Sequence, residues 1–172
     1  MAAPRSHSDS LQTPELDLLR THSLEARNSS YSPYSNFRVG AAILHPDGSI
    51  TTGANIENAS YPVGICAERV AITRAVMEGK VRAVGAKEED AKFGGLGTGI
   101  KALGVAVDTE GASPCGMCRQ FIREFMPLDG EIIMFGNDGE YKVATLQELL
   151  PLSFGPDSLP SSDEMLQIRR QQ

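Results

Sequence analysis

The sequence predicts an α/β protein in which helices lie on the faces of a mixed sheet. Three observations carry this. FRVGAAIL, KALGVAVD and EIIMFG are apolar runs of strand length bounded by turn residues. TPELDLLRTHSLEARNSS, CAERVAITRAVMEGK and CGMCRQFIREFM read as helices. Once an initial hairpin is made, strands and helices alternate.

The elements follow in order. Residues 1–12, rich in Ser, Pro and Ala, are expected to be a disordered tail. The first helix takes Thr13 as N-cap and Pro14 in its first turn, with Leu16, Leu19 and Leu24 on one face. Residues 28–32 end it. FRVGAAIL turns through HPDG into SITTGANIE, a hairpin. Gly79 closes the next helix, and GAKEEDAKFGGLGTG, residues 85–99, reads as a surface loop. After KALGVAVD, Ser113 and Pro114 serve as N-cap and first-turn residue of the third helix. EIIMFG is a strand, NDG a turn, and ATLQELL a short last helix. A single folded domain is expected over 13–156, with a second disordered tail over 157–172.

Composition excludes several functions. The chain of 172 residues is 41% hydrophobic, which suits one soluble domain with tails. Its net charge of −6 and lack of a basic cluster speak against a nucleic-acid partner. No apolar run reaches the ~18 residues of a membrane span. MAAPRSHSDSLQTPELD has no apolar core of a secretory signal, so a cytoplasmic location is expected. An odd total of three cysteines in a reducing compartment argues against disulfides.

Those cysteines are Cys66, at the start of one helix, and Cys115 and Cys118, in the first turn of another. Two helix N-termini meeting at one point would present three thiols to one ion, and zinc accepts such ligation. The excess negative charge needs an offset. A helix N-terminus contributes about 0.3–1 kcal/mol. An Arg about 4 Å away contributes ~4 kcal/mol at an effective dielectric near 20, and Arg69 and Arg119 both follow ligand segments. A structural zinc site would need a fourth protein ligand. His7, His22 and His45 are the candidates, in the tail, on a helix and in an exposed-looking turn, and none sits at ligand spacing beside a cysteine.

Glu68 adds the chemistry. Cys66-Ala67-Glu68 with Pro114-Cys115-Gly116-Met117-Cys118 matches the H-x-E and P-C-x-x-C signature of zinc nucleobase deaminases, Cys replacing His. Zinc lowers the pKa of a water molecule, and Glu68 is expected to accept the water's proton, deliver it to pyrimidine N3, and then relay a second proton to the departing amine.

With SPYSNFRVGAAI, TGANIENASYPVGICAERVAI, SPCGMCRQF and LLPLSFGP, the chain resembles the small, homotetrameric cytidine deaminases over residues 16–156. The resemblance implies a three-layer α/β/α sandwich with a mixed five-stranded sheet. It implies Cys66, Cys115 and Cys118 as ligands of one zinc ion, Glu68 as proton shuttle and Arg69 as moderator of thiolate charge. It further implies Asn55 and Glu57 as ribose contacts, Phe37 against the pyrimidine and the Ala67 backbone at the base edge. Tyr61 and Phe154 would serve a neighbouring subunit's site in a homotetramer. The expected reaction is hydrolytic deamination of cytidine and deoxycytidine to uridine and deoxyuridine in pyrimidine salvage. The alternatives are an antibiotic aminoacyl-nucleoside substrate, which the Asn55-Ile56-Glu57 pattern disfavours, and a non-catalytic zinc-stapled module. The segment around 82–99 is longer than the family's usual link.

Overall fold

The computed structural model describes residues 4–85, 98–111, 113–137, 140–160 and 170. Helix α1 spans Thr13–Ala26, followed by hairpin strands β1, Val39–Leu44, and β2, Ile50–Ala54. Then come α2, Ala67–Met77; β3, Ala102–Val107; α3, Gly116–Phe125; β4, Glu131–Phe135; β5, Tyr141–Thr145; and α4, Leu146–Leu149. The five strands lie in the order β2-β1-β3-β4-β5; only β3 and β4 pair in parallel.

Strand periodicity builds the two cores. Ala41, Ile43, Leu103, Val105, Ile132 and Met134 face α2 and α3. Their neighbours Ala42, Leu44, Ala102, Ala106, Ile133 and Phe135 face Leu19 of α1. The result is the expected α/β/α sandwich. Because β1, β3 and β4 are covered on both sides, they read as unbroken apolar runs. Gly53 positions the site helix: a Cβ there would lie 2.4 Å from Ala71 N, so its absence lets α2 close on β2.

Several local expectations are corrected. Gln12, not Thr13, caps α1, with the Glu15 carboxylate accepting from the Gln12 N–H at 3.1 Å. Ser113 and Pro114 precede α3, whose N-cap is Cys115. YKVAT forms β5, which the strand pattern alone missed: Val143 and Ala144 are adjacent and both buried between Lys142 and Thr145, so the run shows no alternation, and its pairing with β4 makes it a strand. The last helix is correspondingly only four residues, closed at its start by a Thr145–Glu148 capping box.

The expected N-terminal tail is also different where it is described. Arg5 exchanges two backbone hydrogen bonds with Val143, at 2.8 and 2.7 Å, covering the outer edge of β5. Glu131, 4% exposed, accepts from the Asp9 and Ser10 N–H groups at 3.0 and 3.3 Å and from both the Ser8 and Ser10 hydroxyls. A buried carboxylate requires such donors. At the other end Asp157 pairs with the buried Arg123. Residues 161–169, 171 and 172 of the expected C-terminal tail lie outside the described residues, as do 86–97 of the expected loop.

Candidate metal centre and substrate cleft

The thiols are brought together by two helix starts. Cys66 is the N-cap of α2 and Cys115 the N-cap of α3, while Cys118 lies three residues into α3. N-cap and third helical residue share a face, so Cys115 and Cys118 point the same way. All three sulfurs lie within 4.8 Å of one another. Tetrahedral thiolate ligation at about 2.3 Å per bond asks for sulfurs about 3.8 Å apart, so the trio fits zinc. Among the described residues no other group of three or more His, Cys, Asp or Glu converges this way.

The histidines are elsewhere. His7 approaches Asp9 at 3.2 Å and His22 approaches Glu25 at 3.9 Å. His45, expected in an exposed turn, is 2% exposed and bonded to Gly99 and Thr51. Among the described residues three thiols converge and no histidine joins them; a zinc ion held by three protein ligands would keep a position for water, as catalytic rather than structural sites do.

Arg69 supplies the charge offset. Its Nη2 lies 3.9 Å from Cys66 Sγ and donates to the Gly64 carbonyl at 3.2 Å. Arg119, the other candidate, is committed to the Pro114 and Leu149 carbonyls and the Ser113 hydroxyl, at 2.7, 2.8 and 2.8 Å. It braces the approach to α3. The contact with Cys118, with help from Arg69 and Cys115, pulls the Cys66 thiol down to about 5 against its burial. Cys66 and burial together push Cys118 up. One thiolate is thus favoured and the next resisted, a conflict that a divalent cation relieves.

Glu68 is 3% exposed in the first turn of α2, beside the sulfurs. Burial raises its carboxyl above the ordinary value, its own backbone N–H opposing. Ala67, fully buried, is its neighbour.

The other expected residues form a second cluster. Glu57 and Tyr61 line a cleft of about 320 Å³ together with Tyr34, Ser35, Asn58 and Gly64. Ile56 exchanges two 2.9 Å backbone bonds with Ile65, the residue before Cys66, which ties this cluster to the metal centre. Glu57 accepts from the Tyr34 and Ser35 N–H groups at 2.9 and 3.2 Å and from the Ser35 hydroxyl; that hydroxyl chiefly holds its carboxylate below the usual range. Asn55 braces the same segment. Its oxygen accepts from Val39 N–H at 2.8 Å and Ser30 hydroxyl at 2.6 Å, and its nitrogen donates to the Phe37 carbonyl at 2.9 Å. Phe37 is 37% exposed at the end of this brace. Tyr34 and Ser35 were not singled out from sequence, although SPYSN, a turn-forming run, contained them.

Phe154 does not join the cleft. It is 60% exposed, with its carbonyl accepting from Gln120 Nε2 of α3 at 2.9 Å.

Comparison with known proteins agrees with this geometry. Residues 15–135 match the family described as the cytidine and deoxycytidylate deaminase zinc-binding region. A cytidine deaminase of Halalkalibacterium halodurans is 38% identical over 143 residues, covering 83% of this chain and 96% of that protein. A cytidine deaminase of Sporosarcina psychrophila is 39% identical over 151 residues, covering 87% and 98%. The crystal structure of cytidine deaminase from Burkholderia pseudomallei has a TM-score of 0.69 at 34% identity, covering 80% of this chain and 98% of that one. Three converging thiols, a carboxylate in their midst and a match over most of the chain have one common meaning: this chain belongs to the cytidine deaminase family.

Proposed function

We propose that this protein hydrolyses cytidine and deoxycytidine to uridine and deoxyuridine, releasing ammonia, in pyrimidine salvage. The convergence of Cys66, Cys115 and Cys118 beside the buried Glu68 carries the reading. When bound by those thiols, zinc supplies Lewis acidity that lowers the pKa of water.

The chain's own groups do the rest. Glu68 accepts a proton from the attacking water and delivers it to pyrimidine N3 as the oxygen bonds to C4. It then takes the remaining proton of that new hydroxyl and passes it to the amino nitrogen, so that the C4–N bond breaks, ammonia leaves and a carbonyl remains at C4. Its burial keeps bulk water from competing for that proton. Arg69 offsets thiolate charge at Cys66, which preserves the electrophilic character of the centre. Glu57 faces the ribose with a carboxylate already fixed by residues 34 and 35, so little side-chain entropy is lost on binding. Asn55 holds the backbone of Phe37 and Val39 in place beside it, and Phe37 packs on the pyrimidine. The Ala67 backbone meets the base edge.

Tyr61 and Phe154, 75% and 60% exposed, are unfinished surfaces in a single chain. A homotetramer in which each completes a neighbouring subunit's site accounts for them. A cytoplasmic setting suits a centre that needs its thiols reduced.

The test is Glu68→Ala, assayed for zinc content and for turnover of cytidine, deoxycytidine, cytosine, CMP and an aminoacyl-nucleoside antibiotic. The variant should keep its zinc and lose about 10²–10⁴-fold or more of its rate on nucleosides. Undiminished turnover with zinc intact would remove Glu68 from the mechanism. Wild-type turnover of the antibiotic alone would overturn the substrate assignment.

A further inference from the structure

A second cluster of titratable groups lies where β1 ends, β2 begins and α2 stops. His45 and Thr51 are each 2% exposed. His45 Nδ1 is 2.6 Å from the Gly99 carbonyl oxygen, and Nε2 is 3.0 Å from Thr51 Oγ1. That hydroxyl is in turn 2.9 Å from Glu78 Oε2.

Counting protons exposes a shortage. A carbonyl only accepts, so Nδ1 must carry a hydrogen. An ionised carboxylate only accepts, so the single Thr51 hydrogen points at Glu78. Nε2 then needs a hydrogen of its own to face Oγ1. Three contacts require three protons, while a neutral imidazole and one hydroxyl supply two. The third arrives either on the imidazole or on the Glu78 carboxyl, with the hydroxyl turned back to Nε2. Without it, two lone pairs face each other in a buried pocket.

The backbone leaves these groups little freedom to separate. Gly79, at φ 73°, ends α2 with paired bonds from Gly79 N–H to Val76 and Lys80 N–H to Ala75, at 3.0 and 2.9 Å. Arg82 N–H donates to the Thr98 carbonyl at 3.0 Å, and Gly99 sits at φ 82°, where a Cβ would lie 1.8 Å from the Lys80 oxygen. The Gly99 carbonyl is therefore fixed by the chain entering β3, and His45 ties it to the β1–β2 hairpin.

We propose that the His45–Thr51–Glu78 chain is a proton-operated latch: as pH falls it takes up one proton and fastens the chain entering β3 to the hairpin and to the end of α2. The charged groups around it are Asp47 in the hairpin turn, Lys80 at 3.4 Å from Glu78, and Arg74 at 3.6 Å from Glu78. Burial, with Lys80, holds the His45 imidazole below its ordinary value, against the Gly99 carbonyl, Asp47 and Glu78, which favour uptake. The proton is therefore taken up below the ordinary histidine range, and the latch is read as the difference between proteins with and without the Glu78 carboxylate.

Glu78→Gln tests the count. The glutamine amide donates to Thr51, whose hydrogen then serves Nε2, so a neutral imidazole suffices and the third proton is no longer needed. Zinc-loaded full-length wild type and E78Q should be compared by urea unfolding at equal concentration from about pH 8 to about pH 5, reaching below the ordinary histidine value because burial lowers His45. The folding equilibrium constant of wild type relative to E78Q should rise about fivefold to tenfold as pH falls, the worth of one hydrogen bond. Glu78 itself stays ionised throughout, since the Thr51 hydroxyl chiefly holds it below its usual value. The ratio between His45→Gln and the double variant should then be flat with pH. Imidazole nitrogen resonances supply a measurement independent of the His45 variant's folding, and His45 should titrate at higher pH in wild type than in E78Q. A ratio constant with pH, or one His45 midpoint in both proteins, overturns the latch.

Discussion

The metal centre and the Glu57 cleft beside it are built in opposite ways. At the metal end, sulfurs come from helix N-caps whose positions follow from the packing of α2 and α3 on a doubly covered sheet. Cys118 and Glu68 are almost fully enclosed within one chain. At the cleft, Tyr34, Phe37 and Tyr61 are 37% to 75% exposed, and the carboxylate of Glu57 is held by a turn rather than by a core. A rigid centre fixes where charge moves in the reaction. A surface made of turns and aromatic side chains admits and releases a substrate.

Breaking the metal end should have the largest effect. Cys118→Ser should abolish stoichiometric zinc and lower turnover by about 10³-fold or more, because zinc is asked for several kcal/mol of charge stabilisation. Metal analysis and a cytidine assay on the same sample check this; full activity without metal would refute the account of the centre.

Glu57→Ala should do less. Losing a hydrogen bond to a charged group costs about 1.5–3 kcal/mol, or roughly 10–150-fold in kcat/KM, with zinc content unchanged. Unaltered kcat/KM on cytidine would mean that Glu57 serves only its own turn.

The smallest effect is expected at Phe154. Its side chain is exposed, so Phe154→Ala should leave the stability of the single chain within about 0.5 kcal/mol. If a neighbour covers it, subunit association and kcat/KM should fall together. Sedimentation and kinetics at matched concentrations decide this; both unchanged would confine the site to one chain.

Residues with strong local signals were legible in the sequence. The Cys66–Glu68 spacing and the Cys115–Cys118 turn are fixed by helix geometry, so their chemistry could be read directly. The apolar runs of β1, β3 and β4 were equally plain. What failed to appear were features whose cause lies far along the chain. Residues 5–10 have the composition of a tail, yet Glu131, more than a hundred positions away, orders them. His45 stands beside Pro46-Asp47-Gly48, a turn by any local rule, and is buried because Gly99 and Thr51 receive it. Lys142 and Thr145 hid β5, whose pairing with β4 overrides its weak pattern.

The sequence by itself determined the donor set, the carboxylate beside it and the alternation of strands and helices, because each is encoded within a few residues of backbone geometry. Packing between distant segments decided that Arg69 rather than Arg119 reaches a sulfur, that Asn55 braces Phe37, and that the His45 ring meets both Gly99 and Thr51. Those outcomes depend on where distant segments meet, and no local spacing carries a distance through space.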